Sequence, residues 1–364
     1  VVDVGALQRN AEILRGVAEA SGAKILLALK GFALSATFPL LKKYLSGVCA
    51  SSPHEAQLGR ELFGAEVHSF SPAFNEDDFE SCLELSDHMV LNSWNQVKRY
   101  GSRVKAANKQ LGLRVNPQYS EGEIELYDPC ARGSRLGTPI DQIKGRDLSG
   151  LDGLHMHTLC EQGADVLERT VEVLEAKLGA ELHDMKWLNL GGGHHITQPH
   201  YDVDRLQKLL KRLSEQYDLQ LYLEPGEAVA INTGSMVTTV LDTMKNGLRV
   251  AILDTSVTCH LPDVLEMPYR PEIVGAGEPE KKAYTYRLGG QSCLAGDVLG
   301  DYSFDSKLIP GQRLVLEDMS HYTMVKTTTF NGIRLPSIAL WHPQEKRLEV
   351  TKNFGYEDFR SRLS

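Results

Sequence analysis

Four stretches of this 364-residue chain carry reactive residue types, and each ends an apolar run. Lys30 closes Ile25-Leu26-Leu27-Ala28-Leu29. A lysine in that setting is partly desolvated, which lowers its pKa and favours the neutral amine that condenses with carbonyls. His155 and His157 close a second run, and strand alternation puts both on one side. They suit metal ligation, a ring-stacking face or core packing. Gly191-Gly192-Gly193 follows a third run and leads into His194 and His195. Such a turn exposes backbone N–H groups and lets a phosphate approach closely. Glu224-Pro225-Gly226-Glu227 ends a fourth run, where a carboxylate can keep a ring nitrogen protonated.

These residues need strands that deliver them to one place. Eight apolar runs read as strands: 24–29, 47–52, 66–71, 88–92, 110–115, 151–157, 187–190 and 219–224. Segments with helical periodicity lie between them, including 53–62, 164–177 and 203–216. Eight strands alternating with helices predict a (β/α)8 TIM-like barrel, with a doubly wound sheet as the alternative. Barrel chemistry collects at the C-terminal ends of strands, and phosphate commonly sits near the loops after strands 7 and 8. The glycine triplet and Glu224 fall at those two ends. An amine, an imidazole, a phosphate cradle and an acid for a ring nitrogen form the set that pyridoxal 5′-phosphate requires. From about residue 229 the pattern changes to alternating apolar residues with Gly and Pro punctuation, which predicts a C-terminal β-rich domain. The expected division is 1–228 for the barrel and 229–364 for the β domain, with the opening VVDV able to add a strand to the latter.

The sequence resembles the fold type III pyridoxal-phosphate enzymes, the alanine-racemase-like barrels that include ornithine and diaminopimelate decarboxylases. Within them it is most similar to the carboxynorspermidine/carboxyspermidine decarboxylase branch. The stretches that carry the resemblance are ILLALKGF, CASSPHEAQLG, SRLG, GLHMHTLCEQ, LNLGGGHHIT, EPGEAVA, LDTSVTCHLPDVLEMPYRP, GGQSCLAGD and HYTMVKTTTFNG. The resemblance implies that Lys30 holds the cofactor covalently and that His157 stacks on its ring. It places Gly191, Gly192, Gly193, Gly226 and Tyr322 at the phosphate and Glu224 at the pyridine nitrogen. It further implies that Cys293 and Asp297 enter the partner subunit's site in a homodimer, with Cys293 controlling protonation of the decarboxylated carbon. Asp263 matches a substrate-amine aspartate of ornithine decarboxylase. Two departures stand out. Glu227 occupies the place of an arginine that helps bind phosphate, and Leu159-Cys160 replaces a Gly-Ser after the stacking histidine. A carboxylate repels phosphate but suits a substrate amine. Glu227, Asp263 and Asp297 are therefore the expected substrate-binding acids, and the implied substrate is carboxynorspermidine, carboxyspermidine or both.

Other readings compete. Diaminopimelate, ornithine or arginine could be the substrate on the same cofactor. Separately, His155, His157, His194, His195 and His200 raise a metal-dependent barrel hydrolase, although such enzymes commonly place His-x-His on strand 1, where this chain has Lys30. A degenerate, non-catalytic homologue is a third reading, against which Lys30 and Cys293 both stand. Bulk properties exclude more than they assign. The net charge of −9 with interspersed signs, and the absence of a long basic run, argue against nucleic acid. No apolar run of about 18 residues suggests a membrane span. Six scattered cysteines without a C-x-x-C pair argue against a disulfide scaffold and point to a reducing, cytoplasmic setting.

Overall fold

Parallel strands covered on both faces are mostly apolar, and the eight runs follow that pattern, with polar exceptions such as Glu66, His68, His88 and Arg114. In the computed structural model, which describes residues 1–122 and 124–364, they form β1 (Lys24–Ala28), β2 (Gly47–Ala50), β3 (Glu66–Phe70), β4 (His88–Leu91), β5 (Gln110–Asn116), β6 (Gly153–His155), β7 (Trp187–Asn189) and β8 (Gln220–Leu223). All pair in parallel with their chain neighbours. The ring closes where β8 pairs with β1, through Tyr222 opposite Lys24 and Leu223 opposite Ile25. This is the eight-stranded closed barrel that the strand count predicts, and the doubly wound alternative falls away.

Four of the connecting helices start on side-chain caps, which satisfy otherwise orphaned N–H groups. Ser52, Asn75, Ser93 and Asp202 each accept from the main chain three residues on, opening helices at Pro53–Leu58, Glu76–Leu85, Trp94–Ala106 and Val203–Tyr217. The helix expected over 53–62 turns into a π-helix at Gly59–Phe63, and Gly64 ends it with φ 69°. The helix expected over 164–177 runs on to Leu182 past a kink at Leu178. Inside the barrel, Gly112 and Gly153 leave room for the Trp187 ring, which a Cβ at either position would strike.

The chain forms two compact units, Gln8–Val229 and Ala230–Ser364 together with Val1–Leu7. The second contains a five-stranded sheet in the order β12-β11-β10-β9-β13. Its strands are β9 (Met236–Asn246), β10 (Leu248–Leu253), β11 (Tyr284–Gly289), β12 (Val298–Phe304) and β13 (Arg313–Leu316). Val240, Leu253, Leu288, Tyr302 and Leu316 lie in its core. A smaller sheet joins β14 (Ile338–His342) and β15 (Arg347–Lys352) to Val2–Asp3, which pairs in parallel with Leu340 and Trp341.

Candidate active site

The C-terminal ends of β1, β6, β7 and β8 carry Lys30, His157, the glycine triplet and Glu224, so one barrel mouth holds all four. Lys30 stays open to solvent, yet the protein packed around it lowers its pKa from the ordinary lysine value. Burial is the main cause, Cys49 opposes it and Arg114 adds to it. Both observations fit an amine in a concave site, wetted from one side only. Lys30 makes no hydrogen bond or ion pair among the described residues. It is the uncommitted amine that imine chemistry needs.

Glu224 is the opposite case, a carboxylate held on every side. His155 Nε2 lies 3.1 Å from Oε2, and Asn189 Nδ2 donates to Oε1 at 2.7 Å. The Cys49 thiol also hydrogen-bonds it, and burial followed by Glu224 raises the thiol pKa well above its usual value. Burial pushes the Glu224 pKa up, but the surrounding charge and hydrogen bonds win and bring it down to about 2. His155 is buried and its pKa is lowered by burial, with Glu224 opposing. Its Nδ1 is buried without a partner. The pair is therefore a neutral imidazole donating Nε2–H to a carboxylate.

His157 accepts the Gly192 N–H on Nδ1 at 2.9 Å, which places its own proton on Nε2. Its ring runs within 13° of parallel to His155, with centroids 6.4 Å apart, so both rings do lie on one side. Burial lowers the His157 pKa strongly, then Lys30 and Arg114 lower it further. The glycines permit this crowding. A Cβ on Gly191 would lie 2.6 Å from His157 Nδ1; one on Gly192 would meet the Glu224 carbonyl, and one on Gly193 that of Leu159. Gly226 packs against Gly31, with a Cβ only 3.2 Å from its Cα. Neither the Gly193 nor the Gly226 N–H has an acceptor among the described residues. A cradle with open donors, an uncommitted lysine and an ionised carboxylate together fit pyridoxal phosphate.

Three mouth residues escaped the sequence reading. Arg114 is buried on β5, its guanidinium 4.6 Å from the Phe70 ring centroid, and donates to the His157 carbonyl at 3.1 Å. Burial brings its pKa to about 10, opposed chiefly by Glu224. A lone charge within the apolar run Leu111-Gly112-Leu113-Arg114-Val115 was the available signal. Asn189 and Cys49 offered none beyond their places at strand ends.

Glu227 lies 3.4 Å from His195 Nε2 through Oε1. His194 faces Tyr201, its Nδ1 2.7 Å from the hydroxyl. The histidines of the hydrolase reading therefore serve separate partners. Among the described residues the group spaced for a metal is Glu66, His68 and His88, near the opposite ends of the strands.

The sheet unit holds the other predicted residues. Asp263 is buried; its Oδ2 accepts from Tyr269 at 2.9 Å and from Thr323 at 3.4 Å, while Oδ1 is buried without a partner among the described residues. Tyr322, beside Thr323, has φ 47°, an uncommon value for a non-glycine residue. Cys293 is exposed, and its N–H donates to Asn331 Oδ1 at 2.8 Å. Asp297 is buried. Its oxygens accept from Ser256 Oγ at 2.8 Å, Val257 N at 2.6 Å and Ser292 N at 3.1 Å. Those bonds organise the loop carrying Cys293 and leave Asp297 little capacity for a substrate amine.

The family model for the pyridoxal-dependent decarboxylase, C-terminal sheet domain, matches residues 48–320. The chain is 43% identical to a carboxynorspermidine/carboxyspermidine decarboxylase of Campylobacter jejuni, covering 100% of this chain and 97% of the relative. It is 44% identical to a carboxyaminopropylagmatine decarboxylase of Synechocystis, over 100% of this chain and 94% of the relative. The crystal structure of the Campylobacter jejuni carboxynorspermidine decarboxylase complexed with norspermidine superposes with a TM-score of 0.92 at 42% identity, covering 100% and 98% of the two chains.

Proposed function

The chain belongs to the pyridoxal-dependent decarboxylase family, and from that premise we propose that it decarboxylates carboxynorspermidine, carboxyspermidine or both, forming norspermidine or spermidine in polyamine biosynthesis. The observation that carries the substrate class is Asp263, whose buried Oδ1 has no partner among the described residues. A buried acceptor left open costs about 1–3 kcal/mol, and a cationic amine of the substrate would satisfy it. Glu227, where the related decarboxylases have an arginine, adds a second acid for such an amine. Full-length similarity to a decarboxylase of these two substrates supports the same reading.

Pyridoxal phosphate, when bound, withdraws the electron pair left as the carboxylate departs. Lys30 would hold it and, as a neutral amine, exchange with the substrate's α-amine. Gly191, Gly192, Gly193, Gly226 and Tyr322 would receive the phosphate, and the N–H groups of Gly193 and Gly226 have bonds to give. The His157 ring would lie against the cofactor ring. Glu224, fixed by His155, Asn189 and Cys49, would keep a proton at the pyridine nitrogen. Cys293 would return a proton to the α-carbon, and Asp297 would fix the loop that carries it. We place Cys293 in the partner subunit's site, so the working form is a homodimer. Mixed K30A and C293A subunits that regain activity support that assembly; mixtures that stay inactive overturn it.

A second substrate has one observation in its favour, the 44% identity to a carboxyaminopropylagmatine decarboxylase. That molecule ends in a guanidinium, which also suits an acid. Competition among carboxynorspermidine, carboxyspermidine and carboxyaminopropylagmatine, with products quantified, tests the assignment. Preferred release of norspermidine or spermidine supports it, and preferred turnover of the guanidino substrate replaces it.

A further inference from the structure

We propose that Asn189 is a positioning residue that locks the glycine turn to the ring-nitrogen carboxylate, so that the two ends of the cofactor site act as one piece. Asn189 ends β7 and has no exposed surface. Its Nδ2 donates to Glu224 Oε1 at 2.7 Å, while its Oδ1 accepts the Gly191 N–H at 2.8 Å. The partners dictate the amide's orientation. A carboxylate only accepts and a backbone N–H only donates, so one of the two amide settings satisfies both.

The main chain closes the same lock a second time. Glu224 N–H donates to the Gly191 carbonyl at 2.7 Å. Gly191 is thus held through its N–H by one strand end and through its C=O by the next, at φ 69°. The Asn189 carbonyl accepts from Met156 N–H at 2.7 Å, which ties in the strand end between His155 and His157. Asn189 on Oε1 and His155 on Oε2 together stop the Glu224 carboxylate from turning about its last bond. A displacement of the glycine turn is therefore felt at the carboxylate, and the reverse. The lock rests on the reading of this mouth as the pyridoxal-phosphate site.

The test uses the full-length protein, stripped of cofactor and reloaded with pyridoxal phosphate carrying 15N in its ring. Affinity is read by titration, and the protonation of the ring nitrogen by its 15N signal across pH. In N189A, the Gly191 N–H loses its acceptor and the carboxylate is free to turn. Affinity should fall about 10-fold, and the ring nitrogen should lose its proton at lower pH. N189D has nearly the same size and keeps the acceptor for Gly191. It should retain more affinity, yet move the ring-nitrogen titration to higher pH, because a second acid stands beside it. In E224Q, adding N189A should leave that titration where E224Q alone puts it. A purely structural Asn189 would change melting temperature and leave the 15N titration of N189A unmoved, which overturns the lock. N189S, too short to bridge Glu224 and Gly191, carries the same test if N189A does not fold. A wild-type protein that binds no pyridoxal phosphate instead refutes the reading of the site itself.

Discussion

Gly191 and Gly64 have the same backbone angle, φ 69°, and differ in what surrounds them. A Cβ at Gly64 meets nothing within 4 Å. A Cβ at Gly191 would lie 2.6 Å from His157 Nδ1, 2.7 Å from its Cβ and 2.9 Å from its Cα. Alanine at either site incurs the cost of a left-handed L-residue, about 1–2 kcal/mol. At Gly191 alone it also overpacks against an atom set that includes backbone, adding about 1–3 kcal/mol. The difference between G191A and G64A therefore isolates the close approach. For a unit of this size each kcal/mol moves the melting temperature by about 2–4 °C. G64A should lower Tm by about 2–8 °C and G191A by about 4–20 °C, measured on cofactor-free protein by calorimetry. Pyridoxal-phosphate affinity should stay unchanged in G64A and weaken in G191A, because the turn that gives the Gly192 N–H to His157 is displaced. Equal losses of Tm in the two variants would refute the argument that His157 demands glycine here.

Three further outcomes follow from the same structure. His194 is buried and neutral, its pKa lowered to about 3 by burial and then by His195, against an ordinary 6.5. The unfolded chain therefore binds the extra proton first. The stability that His194 contributes is complete above pH 6.5 and declines as pH falls towards 3, at about 1.4 kcal/mol per pH unit. Urea unfolding should show wild type losing about 2 kcal/mol more than H194Q between pH 6.5 and pH 5; equal losses would count against a buried neutral His194. D263N keeps an oxygen for Tyr269 and Thr323 and exchanges the open acceptor for an open donor, so cofactor-free stability should change by no more than about 1–3 kcal/mol, while kcat/KM for the polyamine substrate falls about 30-fold or more. An unchanged kcat/KM would remove Asp263 from the substrate site. K30A should leave no residue labelled when the cofactor-loaded protein is treated with borohydride, and retained labelling would move the covalent anchor elsewhere.

The barrel was legible because doubly covered parallel strands are mostly apolar, and Lys30, His157 and Glu224 stood out in the sequence because they close such runs. Helix ends were less so. Gly179 sits directly after the kink at Leu178, and the periodicity breaks there although the helix continues to Leu182. Strand β12 is hard to see in the sequence because Gly300, Asp301 and Ser303 disturb its alternation. Asn189 was illegible for a different reason. Its function lies in two hydrogen bonds of opposite sense, which neither residue type nor spacing encodes. The bonds that Asp297 accepts from Ser256, Val257 and Ser292 were equally illegible, because an acid in a loop shows nothing of its partners in the sequence.

The two ends of the barrel show why histidine count is a poor guide to the site. Near the strand starts, Lys24 pairs with Glu66, His68 stacks on His88 with centroids 3.8 Å apart and planes 10° from parallel, and Tyr222 and Trp187 pack around them. Ligand atoms of Glu66, His68 and His88 lie within 4.8 Å of one another, which invites a metal. Parallel rings, however, direct their nitrogen lone pairs side by side within their own planes and so do not converge on one point, and Lys24 already neutralises the carboxylate. Polar capacity at this end goes into ring packing and a partly exposed ion pair of small net worth, and what stays open among the described residues is His68 Nδ1, His88 Nδ1 and Trp187 Nε1, buried ring nitrogens. At the mouth the open groups are of another kind. Lys30 has no hydrogen bond, the Gly193 and Gly226 N–H groups have no acceptor among the described residues, and Glu224 stays ionised although most of its surroundings are protein. What marks the site is therefore the kind of valence left over after folding: an uncommitted amine, open backbone donors and a fixed charge, arranged for a group that brings a carbonyl, a phosphate and a ring nitrogen.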